Sequence, residues 1–185
     1  MYPARSDSEF ADHDKVKLLD PAEAEVLVGG EIGAVVINEL EYRSLLVYTG
    51  KTRLSANIIS DQKDKYERGV NIEALDATKG LAVQIKDTLV RGDLNSFGAY
   101  LNEGWNLKKK FASNVSSAEI DNMYAAAMKN GALGGKITGA GGGGFMYLFC
   151  EFDKKHDVVK AIKELGGVVY DFSFDLKGYQ TWRTA

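Results

Sequence analysis

Cysteine, histidine and proline are scarce in this chain of 185 residues, which contains one cysteine, two histidines and two prolines. The single thiol, Cys150, excludes an internal disulfide and is typical of a protein from a reducing compartment. One cysteine and two histidines also supply too few soft ligands for a zinc site, so we expect no metal site in this chain.

Long apolar runs and an excess of positive charge are missing as well. No apolar run reaches the roughly 18 residues that a membrane-spanning helix needs, and the N-terminal segment lacks the apolar core of a signal peptide. The formal net charge of -3 provides no basic surface for nucleic acid or for an anionic membrane. We therefore expect a cytoplasmic protein with neither nucleic acid nor a membrane as its main partner.

The spacing of apolar residues indicates an α+β fold. Residues 1–25 are polar and aperiodic, strands are predicted at 33–38 and 44–50, and helices follow between residues 55 and 130. Two strands then flank a glycine-rich segment. After one more helix, residues 168–176 alternate apolar and polar side chains, with Tyr170 on the apolar side, as a half-buried antiparallel strand does. We predict an antiparallel sheet with helices packed on one side.

Several side chains outside the glycine-rich segment have structural interpretations. Ser116 and Glu119 form a candidate capping box for the helix that follows them. The lysines at 108–110 are interpreted as a solvated helix end that suits the helix dipole, rather than as a phosphate-binding patch. Trp105 and Cys150 are predicted to pack in the core.

Glycine is concentrated in one segment, because eight of the fourteen residues at 131–144 are glycine and an apolar strand follows at once. Consecutive glycines permit positive φ angles and leave main-chain N–H groups uncovered, and such N–H groups can form a concave nest for phosphate oxygens. Thr138 adds a hydroxyl donor and Lys136 a cation. A flexible hairpin turn is the alternative, but hairpins rarely need more than one or two glycines. The residues predicted to contact phosphate are Gly139, Ala140, Gly141, Gly142, Gly143 and Gly144.

The segment "GGKITGAGGGGF" resembles the third, glycine-rich motif of the GHMP kinases, the superfamily of galactokinase, homoserine kinase, mevalonate kinase and phosphomevalonate kinase. Within it, the chain is most similar to the D-glycero-D-manno-heptose 7-phosphate kinases, and the similarity covers residues 44–185. Three other segments carry this narrower resemblance: "YTGKTRLSANIISDQ", "FGAYLNEGWNLKKKFASNVSSAEIDNMYAAAMKNGALGG" and "FSFDLKGYQTWR".

The resemblance implies a GHMP kinase C-terminal domain with a four-stranded, ferredoxin-like antiparallel sheet. It also implies ATP and Mg²⁺ as cofactors, and transfer of a phosphoryl group to the anomeric hydroxyl of a heptose 7-phosphate. Arg53 is the first candidate for binding the phosphate of that sugar, because its planar guanidinium matches phosphate oxygens. Lys51, Thr52 and Ser55 are expected to assist it. The alternative for this segment is a capped helix with solvated charges.

One part of the GHMP pattern is missing from this sequence. These kinases carry a PxxxGLxSS-type phosphate loop in an N-terminal half, and no such segment occurs here. We therefore expect residues 1–43 to be a lead-in or the remnant of that half, residues 44–185 to be the C-terminal domain, and no catalytic residue to lie in this chain.

Because transfer depends on positioning and charge neutralisation, we expect the chain alone, as a fragment or a truncated product, to be inactive. Apolar surface that would face the missing half is expected to be exposed, which allows a homo-oligomer. The alternatives are a non-catalytic domain that binds a phosphosugar or a partner chain, a fragment of a fucose-type kinase, and a purely structural fold.

Overall fold

The computed structural model describes residues 32–50, 55–175 and 181. Six helices and four strands lie in these ranges. In chain order they are α1 (Ala34–Arg43), β1 (Ser44–Tyr48), α2 (Ser55–Glu67), α3 (Ile72–Arg91), α4 (Leu94–Lys108), α5 (Ala118–Lys129), β2 (Ala132–Ile137), β3 (Phe145–Cys150), α6 (Lys155–Glu164) and β4 (Val168–Tyr170).

The four strands form one antiparallel sheet in the order β2-β3-β1-β4. The central pair is in register from Ser44 opposite Phe149 to Tyr48 opposite Phe145. Strand β2 pairs with β3 and carries an irregularity between Ala132 and Gly134. The predicted α+β class and the antiparallel four-stranded sheet with helices are confirmed.

The main core lies on one face of the sheet. Because side chains alternate along a strand, Met146 and Leu148 of β3 point to this face together with Val47 of β1, and all three are fully buried. Helices α5 and α6 supply the covering layer through Ile120, Met123, Tyr124, Ala127, Val158 and Ile162. Trp105 and Cys150 are also buried in this core, as predicted.

A second, smaller cluster lies on the opposite face of β3. Phe149 is fully buried there against Phe97 of α4, with an edge-to-face ring contact at 5.1 Å between centroids. Val36 and Leu40 of α1 pack against this cluster, as do residues of α3. Helix α4 therefore contributes to both faces, since Trp105 near its other end belongs to the main core.

Helix α4 comes unusually close to edge strand β2. A Cβ atom built on Gly134 would collide with the carbonyl oxygen of Gly98 and the amide of Asn102, and one on Gly98 would collide with Leu133. Only glycine permits this separation of the two backbones. The close contact fixes the end of α4 beside the end of β2, where the glycine-rich loop begins.

The predicted strand at 33–38 is wrong, because these residues begin helix α1. Val36 and Leu40 are one helical turn apart and pack on the same cluster. A window that extends beyond residue 38 to Leu40 therefore shows helical spacing of the apolar residues. At the end of α1, the buried Arg43 donates to the carbonyl oxygen of Cys150 at 2.8 Å and lies over the Phe149 ring.

The predicted strand at 168–176 is too long and faces the wrong way. Strand β4 ends at Tyr170, which is 48% exposed, whereas Val169 packs toward the main core. The strand ends early because its partner β1 gives way to helix α1 near the pairing position of residue 172. The backbone N–H of Phe174 instead donates to the Glu41 carboxylate at 2.8 Å.

The capping prediction for α5 is wrong by one residue. The N-cap is Ser117, whose hydroxyl accepts from the N–H of Ile120 at 3.4 Å. The Ser116 hydroxyl instead donates to the Asp121 carboxylate at 2.9 Å. Two adjacent serines offer the same cap chemistry, and the sequence pattern favoured the first because Glu119 follows it by three residues.

Candidate functional site

The candidate site is built on the loop of residues 139–144, which joins β2 to β3. Five of its six residues have positive φ angles, a region that side-chain-bearing residues rarely adopt. The φ angles are 73° at Gly139, 115° at Gly141, 77° at Gly142, 139° at Gly143 and 84° at Gly144. This run of left-handed conformations explains why the segment consists almost entirely of glycine.

Hydrogen bonds hold the loop at both of its ends. Thr138 closes the base, since its N–H and its hydroxyl both donate to the Phe145 carbonyl oxygen, at 2.8 Å and 3.1 Å. From the end of β1, the N–H and the hydroxyl of Thr49 both donate to the Gly144 carbonyl oxygen at 2.9 Å. The loop is therefore fixed to two strands of the sheet.

The middle of the loop rests on the segment that precedes α5. The N–H of Gly142 donates to the Val115 carbonyl oxygen at 2.8 Å. A Cβ atom on Gly141 would lie only 2.9 Å from that same oxygen, so this residue has no room for a side chain. The contact places the loop against the approach to the N-terminus of α5.

Most of the loop amides are available to a ligand. Within the described part of the chain, Gly142 is the one residue at 139–144 whose N–H donates to another residue. The other loop residues are exposed or half-buried. Consecutive N–H groups of this kind can bind an anion with several oxygens, such as a phosphate.

Lys108, at the end of α4, contacts the loop directly. Its Nζ donates to the carbonyl oxygen of Ile137 at 3.1 Å and to that of Gly139. Burial, together with the nearby charge of Lys136, lowers the pKa of Lys108 to about 8. The ammonium group thus fixes the two carbonyls that flank Thr138 and places a positive charge at the start of the loop.

The predicted solvated helix end is wrong for Lys108. Lys108 follows Leu101 and Trp105 at helical spacing on the face of α4 that packs inward. This spacing is the feature of the sequence that indicates a partly buried position for Lys108. Lys109 lies near Asp121, with 3.8 Å between Nζ and the carboxylate. Lys110 is exposed, as the prediction has it.

The predicted phosphate-binding residues fall into three groups. Thr138 and the loop at 139–144 lie together, and Thr49, which the sequence did not single out, joins them. Lys136 is exposed on β2 and lines a different cavity with Lys108. Lys51, Thr52 and Arg53 lie outside the described residues, and Ser55 is the first residue of α2.

A cavity of about 240 Å³ adjoins the end of β1. Thr49 lines it on one side, and the first turns of α5 line it on the other through Glu119, Ile120, Asn122 and Met123. Thr49 therefore connects this cavity to the loop, because the same residue binds the Gly144 carbonyl oxygen. A small ligand in the cavity would lie close to an anion bound by the loop.

Other chemistry has little support in residues 32–50, 55–175 and 181. No three histidine, cysteine, aspartate or glutamate side chains in these ranges lie close enough to hold a metal ion. No helix there is both long and apolar enough to cross a membrane. Cys150 is buried, and burial raises the pKa of its thiol to about 12, which makes it a poor nucleophile.

Residues 85–168 match the family model described as the C-terminal domain of GHMP kinases. The chain contains a GHMP kinase C-terminal domain. It is 37% identical over 148 residues to a D-glycero-alpha-D-manno-heptose 7-phosphate kinase from Campylobacter jejuni, covering 80% of this chain and 44% of the relative. It is 29% identical over 147 residues to a bifunctional fucokinase/GDP-fucose pyrophosphorylase from Arabidopsis thaliana, covering 78% and 13% of the two chains.

Among solved structures, the GHMP domain is similar to a D-glycero-D-manno-heptose 1-phosphate kinase from Bacteroides thetaiotaomicron. The TM-score is 0.52 at 28% identity, and the match covers 78% of this chain and 36% of that one. The chain thus spans less than half the length of each of these three relatives. These comparisons support a relationship to sugar-phosphate kinases.

Proposed function

We propose that this chain is the C-terminal part of an ATP-dependent kinase that phosphorylates the anomeric hydroxyl of a heptose 7-phosphate in the cytoplasm. The observation that carries the proposal is the loop at 139–144, with its positive φ angles and with amides of which, among the described residues, that of Gly142 alone donates to another residue. In this proposal the loop amides contact the phosphoryl oxygens of ATP.

The loop suits phosphoryl transfer because it is held before the ligand arrives. Thr49 and Lys108 fix the carbonyl oxygens of Gly144 and Gly139, and Thr138 closes the base of the loop on Phe145. The N–H groups therefore need little rearrangement to meet an anion. Donors that are already oriented stabilise developing charge better than donors that must reorganise. ATP would supply the phosphoryl group, and the chain's own contribution is to position its oxygens.

Mg²⁺ is the usual partner of ATP in phosphoryl transfer, but the described residues do not form a site for it. No cluster of carboxylates stands near the loop in the described ranges. We therefore assign no Mg²⁺ ligand among the residues that the structure describes.

The sugar phosphate is proposed to bind at the segment that follows β1. Arg53 would hold the phosphate of the sugar through its guanidinium group, with Lys51 and Thr52 beside it. Ser55 begins helix α2, and the N-terminus of a helix favours an anion. The cavity beside Thr49 lies at the start of the same segment and is proposed to receive the sugar ring.

The part of the kinase that is missing from this chain is proposed to cover the sheet face that carries Phe145 and Tyr170. Their rings lie 5.4 Å apart, Tyr48 lies 5.5 Å from Phe145, and Phe145 and Tyr170 remain 36% and 48% exposed. Because the match covers only 44% of the Campylobacter relative, an N-terminal half with the main ATP loop is the proposed occupant. Without it, this surface also allows a homo-oligomer.

A fucose-type sugar kinase is the second candidate. The similarity to the Arabidopsis fucokinase extends over 147 residues, and the segment after β1 is where the two sugars would be distinguished. A heptose 7-phosphate needs a cationic group in the protein to bind its phosphate, whereas fucose has no phosphate group.

A chimera tests both candidates. The N-terminal half of the Campylobacter kinase would be joined to this chain, and ADP formation would be measured with heptose 7-phosphate and with fucose. We expect turnover with heptose 7-phosphate, none from the 185-residue chain alone, and a loss of kcat in the chimera carrying Gly142→Val. Arg53→Ala should raise KM for the sugar phosphate far more than KM for ATP.

Several results would contradict the proposal. Turnover of fucose in preference to the heptose would favour the second candidate. Robust activity from the chain alone would remove the need for another half. A folded chimera that binds neither ATP nor sugar would leave a non-catalytic domain that binds a partner chain.

A further inference from the structure

A second cavity lies between helices α3 and α4, and Lys108 lines it while also contacting the first residue of the glycine-rich loop. Its volume is about 340 Å³, within the range of small-molecule pockets. Apolar and aromatic side chains form most of its wall, including Leu81, Ile85, Leu101 and Phe111. None of residues 139–144 is among the described residues that line it.

Two lysines complete the wall of this cavity. Lys108 comes from the end of α4 and Lys136 from β2. Among the described residues, neither forms an ion pair with a carboxylate. The cavity therefore combines an apolar wall with two positive charges that have no carboxylate partner in the described part of the chain.

The charge of Lys136 adds to the electrostatic cost of the Lys108 charge. Burial and the nearby charge of Lys136 together lower the pKa of Lys108 to about 8. Among the described lining residues, α3 contributes Thr78 and apolar side chains, and α4 contributes the phenol of Tyr100 as a further polar group. The Lys108 ammonium uses two of its three N–H donors on the carbonyls of Ile137 and Gly139. One donor remains for a ligand, and an anion would relieve the repulsion.

We propose that this cavity binds a small amphipathic anion, with its apolar body against α3 and α4 and its carboxylate or phosphate head between Lys108 and Lys136. The cavity wall and the two lysine charges support this site whether or not the chain takes part in phosphoryl transfer. A ligand with only one of the two features would bind poorly, because the apolar wall and the lysines are separate sources of affinity.

The test is an NMR titration of the 185-residue chain, labelled at its amides and at its leucine and isoleucine methyl groups. Octanoate and octyl phosphate are the probes, and octanol and acetate are the controls that lack the charge or the body. We expect saturable shifts at Leu81, Ile85 and Leu101 with at least one probe, and binding of either control weaker by roughly tenfold or more.

Two matched variants decide whether the lysines take part. Lys136→Glu places a like charge against the anionic head, and we expect it to weaken binding by roughly tenfold or more. Lys110→Glu makes the same change at an exposed lysine that does not line the cavity, and we expect little effect. Both positions are exposed, so both variants should melt close to the parent temperature.

Three results would overturn the proposal. The first is the absence of saturable shifts at the cavity with both probes. The second is octanol binding as tightly as octanoate, which would leave an apolar groove without selection for charge. The third is equal weakening by the two variants, which would mean a general effect of net charge. Because no step measures phosphoryl transfer, these results are separate from failure of the proposed kinase function.

Discussion

Glycines serve different purposes in two regions of this GHMP domain. Between α4 and β2, Gly98 and Gly134 have ordinary backbone angles and no space for a Cβ atom. In the loop, Gly139 and Gly144 have positive φ angles and open space around the position of a Cβ atom. The first pair is needed for close packing, and the second pair is needed for backbone conformation.

The largest effect is expected for Gly134→Ala. The new methyl group would collide with the backbone of α4 at Gly98 and Asn102, and backbone atoms cannot move aside without separating the helix from the strand. We expect a loss of roughly 3 kcal/mol or more in the free energy of unfolding, measured by urea denaturation. Gly80→Ala in α3, where a Cβ meets nothing within 4 Å, is the control and should be neutral or stabilising. If Gly134→Ala lowers the free energy of unfolding by less than Gly141→Ala or Gly139→Ala in the loop, Gly134 does not have the proposed packing role.

Gly141→Ala is expected to come second, because this residue combines both constraints. Its φ of 115° is unfavourable for alanine, and its Cβ would lie 2.9 Å from the Val115 carbonyl oxygen. We expect a loss of about 2 kcal/mol in the free energy of unfolding. Amide hydrogen exchange at Gly142, whose N–H binds Val115, should also accelerate. Unchanged exchange there would show that the loop does not need this contact.

Gly139→Ala isolates the conformational requirement, since nothing lies within 4 Å of its Cβ position. Alanine in the left-handed region costs about 1 kcal/mol, so urea denaturation should show a loss of this size. Gly139→Asn should recover part of it, because asparagine tolerates this region. A loss as large as that of Gly134→Ala would mean that the two regions do not differ in the way proposed.

The smallest effect is a pH dependence that involves Lys108. Its pKa of about 8 in the folded chain lies below the ordinary lysine value of 10.5, so the unfolded chain binds more protons between these values. The contribution of Lys108 to stability therefore rises as pH increases from about 8. Urea denaturation of the parent chain and of Lys108→Met from pH 7 to 9 should show that the free energy of unfolding of the parent rises relative to that of the variant.

Lys110→Met serves as the control for this measurement, because Lys110 is exposed. Opposite contributions begin between about pH 8 and pH 9, since burial raises the pKa of Cys150 from 9.0 and that of Tyr147 from 10.0, both to about 12. They occur in both chains and cancel in the comparison. A difference that stays constant with pH would contradict the lowered pKa.

Much of the fold could be predicted because local patterns and tertiary contacts agree there. The interior strand β1 and helices α3 to α5 follow their apolar spacing, and Gly92 ends α3 in the left-handed conformation that a stop signal implies. The strand at 33–38 failed because six residues with a short apolar run at 34–37 do not distinguish a strand from a turn and a half of helix. The end of β4 failed because its length depends on where its partner β1 stops.

The candidate site was partly predictable for a similar reason. The positive φ angles of the loop follow from its glycines, which the sequence shows plainly. The contact of Lys108 with Ile137 and Gly139 depends on the close approach of α4 to β2, and glycines 36 residues apart along the chain do not reveal that they meet. Thr49 was overlooked because its hydroxyl acts on a carbonyl oxygen 95 residues away.

The Gly98–Gly134 contact also bears on association between chains. An outer strand with unpaired N–H and C=O groups can recruit a strand from another molecule and start fibrous aggregation. Here α4 lies against β2 so closely that an incoming strand finds helix backbone along that border, while β4 at the far border is only three residues long. Two residues without side chains thereby help to protect the sheet from polymerisation.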